Sequence, residues 1–226
     1  MKINRKKANK NYTCMKCNNE IKKGEEYLSY SPRYSGKKIR CTNCYPKPSE
    51  LTSSDKLSRL YSIQEELETL NVTDEHSMFD ISAILSDKAS ESREIADEYR
   101  ESVSNMPENL QYSSKADELN EKADNIDSWA DELDDISSEL DSLANEITSL
   151  KEDRADAESD LESKKEELDN CEEEDEEDGI NWQEEDDIRW RIEELELRLS
   201  DIENDIEEKI SEANDKINDV SQNLCL

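Results

Sequence analysis

The chain has 226 residues, of which 29 are Lys or Arg and 61 are Asp or Glu, so its formal net charge is -32. Hydrophobic residues make up 32% and charged residues 40% of the chain, with only three Gly and one Phe. This composition excludes a thick α/β core and glycine-rich nucleotide-binding loops, and it indicates extended helices or disorder.

The charge is divided between two parts of the chain. Residues 1–48 contain 13 Lys/Arg and 3 Asp/Glu, whereas residues 49–226 contain 16 Lys/Arg and 58 Asp/Glu. We therefore predict a basic head over 1–48, a linker with two shorter helices over 49–113, and an acidic helical region over 114–226.

No apolar run approaches the ~20 residues that a membrane-spanning helix needs. The basic N-terminus lacks the apolar segment of a secretory signal. We expect a soluble intracellular protein without a membrane partner.

Four of the six cysteines form two CxxC pairs, Cys14 with Cys17 and Cys41 with Cys44. A two-residue gap lets both thiolates of a tight turn face one ion, and two such turns complete a tetrahedral four-sulfur site. A redox CxxC would need a βαβ setting that the surrounding residues do not indicate. We predict one structural Zn²⁺ that supplies most of the folding free energy of this short segment.

The residues between the two pairs predict a β-hairpin. Glu26–Tyr30 is rich in strand formers, residues 31–36 are typical of a turn, and Lys37–Arg40 leads into the second pair. Pro46 and Pro48 disfavour a helix directly after Cys44. This favours a zinc ribbon over a treble clef, which stays the alternative.

Basic and aromatic residues are interleaved in the head. Cations beside flat rings suit phosphate contacts and base stacking in a nucleic acid. The alternatives are a protein-binding head and a structural knob in which Tyr27 and Tyr30 form the small core. The predicted nucleic-acid contacts are Lys22, Lys23, Arg33, Tyr34, Lys37, Lys38 and Arg40.

Two shorter helices are predicted after the head. Ser53 or Ser54 can cap the first, and Asn71–His76 separates it from a second helix over 78–104 that Pro107 ends. Ser114 with Asp117 resembles a capping box and marks the start of the acidic helical region.

Two heptad seams follow, separated by the acidic, Gly-bearing segment 172–181. A single chain folding back at this segment forms an antiparallel coiled-coil hairpin, with Ile206 near Ile147, Ala213 near Leu140 and Leu224 near Trp129. The alternative is a parallel homodimer with 172–181 as a bulge, so the protein is expected to be a monomer or a homodimer through the coiled coil. The first seam comprises Leu119, Ile126, Trp129, Leu133, Ile136, Leu140, Leu143, Ile147, Leu150, Ala157, Leu161, Leu168 and Cys171. The second comprises Ile188, Ile192, Leu195, Leu199, Ile202, Ile206, Ile210, Ala213, Ile217, Val220 and Leu224.

Residues 123–150 contain nine acids and no Lys or Arg. Like charges at four-residue steps weaken a helix, so packing, counterions or a basic partner must offset them. We weigh a solvated face, a docking face for a basic protein, and a mimic of duplex DNA. His76 is the only histidine and no carboxylate pair stands isolated, so we expect no catalytic site.

Two stretches of the chain are distinctive, CMKCNNEIKKGEEYLSYSPRYSGKKIRCTNCYPKPSELTSS and EYRESVSNMPENLQYSSKADELNEKADNIDSWADEL, and together they cover about a third of it. Both are similar to segments of uncharacterised proteins of tailed bacteriophages. The resemblance implies a phage origin, a zinc site at Cys14, Cys17, Cys41 and Cys44, and a place in the host cytoplasm. It implies no activity.

The predicted fold is mainly α, with a small N-terminal zinc ribbon followed by the antiparallel coiled-coil hairpin. The predicted function is a non-enzymatic zinc-binding protein whose basic head contacts nucleic acid and whose acidic coiled coil spaces or recruits a protein partner. A structural or adaptor protein and an acidic DNA mimic are the alternatives.

Overall fold

The computed structural model describes residues 2–32, 36–174 and 182–224. Over these residues short strands come first and helices follow. The strands are β1 (Asn4–Lys7), β2 (Tyr12–Thr13), β3 (Glu20–Ile21), β4 (Glu26–Tyr30) and β5 (Lys38–Cys41). The helices are α1 (Pro48–Leu51), α2 (Asp55–Leu67), α3 (Glu75–Ser104), α4 (Ser114–Glu174) and α5 (Trp182–Gln222), with a 3₁₀ turn at Glu108–Leu110.

The head contains two antiparallel sheets. β1, β4 and β5 form a three-stranded sheet with β4 in the centre, and β2 pairs with β3 in a two-stranded sheet. In the larger sheet Tyr27 lies opposite Lys6 on one side and Cys41 on the other. The predicted β4–β5 hairpin is therefore present, and the residues predicted to form its turn include 33–35, which lie outside the described part.

The central strand β4 is covered on both faces, since all of its residues except Glu26 are buried. Alternation along a strand places Tyr27 and Ser29 on one face and Leu28 and Tyr30 on the other. Tyr27 packs with Ala8, Cys14 and Ile21, on the side of the cysteines. Two-sided burial explains why such a small sheet can hold a fixed position for Cys41 at the end of β5.

The first helices are tied to the head and to each other by polar contacts. Pro48 starts α1 at the first helical position, where its missing N–H costs nothing. The Glu65 carboxylate of α2 accepts hydrogen bonds from the Ser49 backbone N–H at 2.9 Å and from the Ser49 hydroxyl at 2.8 Å. Ser54 caps α2 as predicted, with its hydroxyl accepting from the Leu57 N–H at 3.4 Å.

The chain divides into two compact units. The first comprises Met1–Leu70, Lys88–Asp131 and Val220–Leu226, and the second comprises Asn71–Asp87 and Glu132–Asp219. The first unit thus holds the head together with α1, α2 and parts of the long helices. Most of the predicted coiled coil falls in the second unit.

In the second unit α4 and α5 run antiparallel and are joined by ion pairs. Lys216 contacts Glu139 at 2.8 Å, Lys209 contacts Glu146, and Arg154 contacts Glu203 at 3.2 Å. The predicted pairing of Ile206 with Ile147 puts Glu146 opposite residue 207 and Arg154 opposite residue 199. The observed partners Lys209 and Glu203 are therefore shifted from the predicted register by two and four residues, between half a helical turn and about one turn. The antiparallel hairpin is confirmed.

The first half of α3 packs on this hairpin and makes it three-helical over part of its length. Ser82 and Ser137 are both buried and exchange hydrogen bonds, with their hydroxyls 2.9 Å apart. Val72, just before α3, is held by Asn214 of α5. The Asn214 side chain accepts a hydrogen bond from the Val72 N–H at 2.8 Å and donates one to the Val72 carbonyl at 3.1 Å. The side-chain amide therefore satisfies both backbone groups of one residue.

In the first unit the second half of α3 packs beside the start of α4. Ile95, Ala96, Ala123 and Ile126 are fully buried there. The Trp129 indole N–H donates to the Val220 carbonyl at 2.9 Å, one helical turn before Leu224, its predicted neighbour. A buried indole needs such a partner for its N–H.

Three helix boundaries differ from the predictions given above. α3 begins at Glu75, inside the break expected at Asn71–His76. Ser113, not Ser114, caps α4, because its hydroxyl accepts from the Ala116 N–H at 3.4 Å. α4 continues through Glu174, three residues into the predicted tip at 172–181, and residues 175–181 lie outside the described part. In the chain as described, none of the helices has the length and apolar character required to cross a membrane.

Candidate metal centre

The first cysteine pair lies in the turn between β2 and β3. The Cys14 N–H donates to the Asn19 carbonyl at 2.9 Å, and the Asn18 N–H donates back to the Cys14 carbonyl at 3.0 Å. Asn18 closes this turn in the left-handed region, with φ of 57°. Asn tolerates that conformation better than most residues, so the sequence Cys-x-x-Cys-Asn suits a tight turn that directs both sulfurs inward.

The second pair is held by a strand end and the turn after it. Cys41 is the last residue of β5, and the Cys44 N–H donates to the Cys41 carbonyl at 3.1 Å. The Met15 N–H donates to the Ile39 carbonyl at 3.0 Å, which joins the first turn to β5. Because no helical turn carries Cys44, the arrangement is that of a zinc ribbon rather than a treble clef.

The four thiol groups converge on one point. The Sγ atoms of Cys14, Cys17, Cys41 and Cys44 all lie within 4.8 Å of one another. The Cys17 and Cys41 sulfurs are 3.7 Å apart. Tetrahedral coordination at a Zn–S distance of about 2.3 Å requires sulfurs about 3.8 Å apart. The cluster therefore has the composition and nearly the size of a four-sulfur metal site, and it could hold one metal ion.

Apolar side chains enclose one side of the cluster. Cys14 is fully buried among Ala8, Ile21 and Tyr27, whereas Cys17 is exposed. Such one-sided burial fixes the ligands and leaves an edge open to solvent. Such an environment is typical of a structural metal site in a small fold, where the protein supplies all four ligands.

The thiols influence each other's ionisation. Burial opposes ionisation of Cys14, but the backbone N–H groups of Cys17, Cys41 and Lys16 outweigh it and lower the pKa of Cys14 to about 6. Hydrogen bonds to the other sulfurs, first that of Cys41, raise the pKa of Cys44 to about 12. A bound divalent cation would favour the thiolate at every position, so metal binding would release protons.

The residues predicted to contact nucleic acid occupy different environments. Lys22, Lys23 and Lys37 are exposed, and Lys38 is half-buried on β5. The Lys37 ammonium lies 5.6 Å from the centre of the Tyr27 ring. Arg33 and Tyr34 fall outside the described residues.

Arg40 is placed differently from these lysines. Its side chain is only 7% exposed and donates two hydrogen bonds to Glu50 of α1, at 2.8 and 2.5 Å. Its guanidinium also lies 5.8 Å from the centre of the Tyr30 ring. A buried guanidinium already engaged by a carboxylate has little capacity for a phosphate, so Arg40 joins the sheet to α1 instead.

The tyrosines of the head, like its basic residues, include both buried and exposed side chains. Tyr27 and Tyr30 are buried, as the structural alternative predicted, and Tyr12 packs against Tyr27 with ring centres 5.1 Å apart. Tyr45 is 61% exposed and directly follows Cys44. Among the described tyrosines of the head, Tyr45 is therefore the ring best placed to stack on a base.

Sequence reasoning missed the bases of β1. Arg5, Lys6 and Lys7 are exposed on an edge strand of the larger sheet. Their basic character was visible in the sequence, but four consecutive polar residues carry no alternation that would predict a strand.

The acids of the head lie together on another side. Glu20, Glu25 and Glu26 all line a groove of about 440 Å³ beside Cys41. They are the head's three acidic residues, so this side is the least suited to a phosphate backbone. Arg5 of β1 borders this side, since its guanidinium lies 3.8 Å from the Glu26 carboxylate.

The acidic stretch 123–150 is partly neutralised by bases from other helices of the same chain. Within the first unit Arg100 contacts Asp124 at 2.9 Å and Asp127 at 2.5 Å, and Arg93 contacts Asp131 at 2.7 Å. Within the second unit Lys216 and Lys209 contact Glu139 and Glu146. These pairs offset the repulsion within α4 and weaken the electrostatic case for a basic partner or DNA mimicry at this stretch.

No family model, curated protein or solved structure gives a significant match to this chain.

Proposed function

We propose that the protein is a non-enzymatic zinc-binding protein whose basic head contacts nucleic acid and whose acidic coiled coil recruits a protein partner. The convergence of four cysteine sulfurs within 4.8 Å carries the zinc-binding part of the proposal, because it defines one ligand set for one ion. The resemblance of two stretches of the sequence to proteins of tailed bacteriophages supports a phage origin and action in the host cytoplasm. No side chain is assigned a catalytic role.

Zinc fits this ligand set better than other common metals. Four thiolates in tetrahedral geometry select Zn²⁺ or an iron centre, whereas magnesium and calcium prefer oxygen ligands. A site with four protein ligands leaves no open position for substrate or water, so the ion would act structurally. When bound it would fix the β2–β3 turn against the end of β5.

Nucleic-acid contact follows from the charge that this rigid head presents. Lys22 and Lys23 lie in the turn after β3, Lys38 begins β5 and Lys37 directly precedes it, and β1 adds three further bases. Phosphate contacts of this kind give affinity without base specificity. Tyr45 could add stacking on an unpaired base.

The test is the salt dependence of binding to a labelled duplex and to labelled single strands of DNA and RNA. If the four lysines contact phosphates of a duplex, the log–log slope against salt is near -4. The double variants Lys22→Gln/Lys23→Gln and Lys37→Gln/Lys38→Gln should each reduce that slope by about 2.

A variant of equal charge change on α4, Lys115→Gln/Lys122→Gln, is the matched control and should leave the slope unchanged. Absence of binding at low salt by the zinc-loaded protein would overturn nucleic-acid contact.

Exposed apolar side chains beside the cluster favour one alternative, a protein-binding head. Met15 and Tyr45, which each follow a cysteine of the cluster, are 60% and 61% exposed. An adaptor of this kind would lose its partner on Met15→Gln while the lysine variants retained it.

A further inference from the structure

The outward face of α5 in the second unit carries two large apolar side chains. Trp190 is 64% and Leu197 is 65% exposed, and they are one heptad apart. At 100° per residue they lie within about 20° of each other around the helix and roughly 10 Å apart along it. Exposed large apolar side chains placed together mark interaction surfaces.

This face points away from the hairpin seam. The buried seam residues Ile188, Ile192, Leu195 and Ile202 lie roughly 120–200° around the helix from Trp190. These buried residues pack α5 on α4, and Trp190 and Leu197 take no part in that packing.

No third helix reaches this part of the hairpin in the described residues of the second unit. The hydrogen bonds and ion pairs from residues 71–87 fall on Ser137, Lys151 and Asn214. The segment around Trp190 pairs with a later part of α4, as the 2.9 Å contact of Lys165 with Glu196 shows. Trp190 therefore faces outward without a helix of the same unit over it.

Acidic residues surround the two apolar side chains. Within about 60° of Trp190 around α5 there is no Lys or Arg between residues 186 and 201. Arg189, Arg191 and Arg198 flank the face at about 80–100°, and Arg191 contacts Glu194. We define the Trp190 face by Asp186, Asp187, Trp190, Glu193, Glu194, Leu197 and Asp201, which are all exposed.

We propose that the Trp190 face binds a basic amphipathic helix of a partner protein. Trp190 and Leu197 would cover apolar residues of that helix one heptad apart. Its Lys and Arg residues would meet Asp186, Asp187, Glu193 and Asp201, and would compete with Arg191 for Glu194. Tryptophan in the centre of an interface is the side chain that most often carries binding energy. This inference rests on the proposed recruitment of a protein partner and identifies the chemistry of that partner.

Charge decides between possible occupants of the face. A second copy of this chain would bring five further carboxylates against these five, and like charges in contact suppress association. A nucleic acid would be repelled for the same reason. A basic helix satisfies both the charge and the apolar pair.

The experiment uses full-length protein and a labelled peptide of about 18 residues, with leucines at heptad a and d positions and lysines between them. Binding is measured by fluorescence anisotropy at about 0.15 M salt. The double variant Trp190→Ala/Leu197→Ala should bind at least about 30-fold more weakly.

Three controls make the test specific. Tyr112→Ala removes a ring that is 87% exposed elsewhere in the chain, and it should bind the peptide like the unaltered protein. A peptide of the same composition in scrambled order should bind weakly. The head variant Lys37→Gln/Lys38→Gln should bind the peptide normally, so a failure of nucleic-acid contact is distinguished from a failure here.

Each contrary result overturns the inference. Equal affinity of the double variant shows that charge alone attracts the peptide, and equal affinity of the scrambled peptide shows that no helix face is recognised. If the unaltered protein does not bind the peptide, the Trp190 face is not a site for a basic helix. If the protein sediments as a homodimer and the Trp190→Ala variant as a monomer, the face binds a second copy of the chain instead.

Discussion

Asn18 shows how one backbone angle can serve the metal centre. Its φ of 57° closes the first cysteine turn and allows its N–H to reach the Cys14 carbonyl. A β-branched side chain at this angle would strain the turn, whereas glycine would not.

We expect Asn18→Val to weaken zinc binding and Asn18→Gly to leave it nearly unchanged. A cost of about 1–2 kcal/mol in the left-handed region corresponds to roughly 5- to 30-fold in affinity. Competition with a zinc-binding dye measures the difference. Equal loss in both variants would indicate that the amide side chain, not the angle, is required.

Arg40 and Glu50 form the least predictable contact of the head. Arg40 precedes a metal ligand in a run of bases, and the sequence alone favoured a surface role. In the structure the Arg40 guanidinium is buried and donates hydrogen bonds to the Glu50 carboxylate of α1. Among the described residues, its Nε atom has no hydrogen-bond partner. No local pattern indicates a pairing that depends on where α1 packs.

This pair predicts an acid-sensitive contribution to stability. Burial opposes ionisation of Glu50, but hydrogen bonds from Arg40 and the Lys47 N–H outweigh it and lower the pKa of Glu50 below its usual 4.5. The ionised form is therefore favoured by folding. The stabilisation is fully present above about pH 4.5 and is lost as the pH falls through the lowered pKa of the folded state.

We expect Glu50→Gln to reduce the protection of β5 amides against hydrogen exchange by about 1–3 kcal/mol at neutral pH. The difference between the two proteins should shrink as the pH falls below 4.5 and through the lowered pKa of Glu50 in the folded state. Glu68→Gln, at an exposed position just after α2, is the control. A difference that persists in acid would exclude the carboxylate as its source.

At the level of elements, the long helices were the easiest to predict. Apolar residues at three- and four-residue steps specify α4 and α5, and the isoleucine- and leucine-rich seams specify their pairing. β1 could not be predicted, because Asn4–Lys7 is wholly exposed and forms a strand only through its hydrogen bonds to β4. The bases that offset the acids of α4 also escaped prediction, since they come from α3 and α5.

The hairpin and the parallel dimer differ in which residues a zero-length carboxyl–amine cross-linker can join. We expect Glu146 to be linked to Lys209 and Glu139 to Lys216 within one chain, because these pairs are in contact in the second unit. Mass spectrometry of the monomer band identifies the linked peptides. The variant Lys209→Gln should lose the first link and retain the second.

Recovery of these links only from a dimer band would contradict the intrachain hairpin. A parallel dimer would also place Glu146 beside the same residue of its partner, too far along the helix from Lys209 to be joined.

For the whole molecule, the separation of charge means that the two parts of the chain suit partners of opposite charge. The head, of formal charge +10 before any metal is bound, suits an anionic partner, and the remaining -42 suits a cationic one. The sequence made this division visible. It did not show that the head is tied to α1 by Arg40 with Glu50 and to α2 by Lys47 with Glu65, because those contacts cross the expected boundary at residue 48.

A structural zinc ion in the head predicts that metal removal acts locally. A strong chelator should abolish the amide protection of β2 to β5, since these strands are too short to form a stable sheet alone. The long helices hold their own apolar seams and should keep their helical circular dichroism.

The most direct measurement is the zinc content of purified protein, combined with hydrogen exchange of the head before and after chelation. We predict one equivalent of zinc per chain, lost in Cys41→Ser/Cys44→Ser, with protection of residues 12–41 that disappears when the metal is removed. Far less than one equivalent, in a head whose protection is the same with and without chelator, would contradict the account.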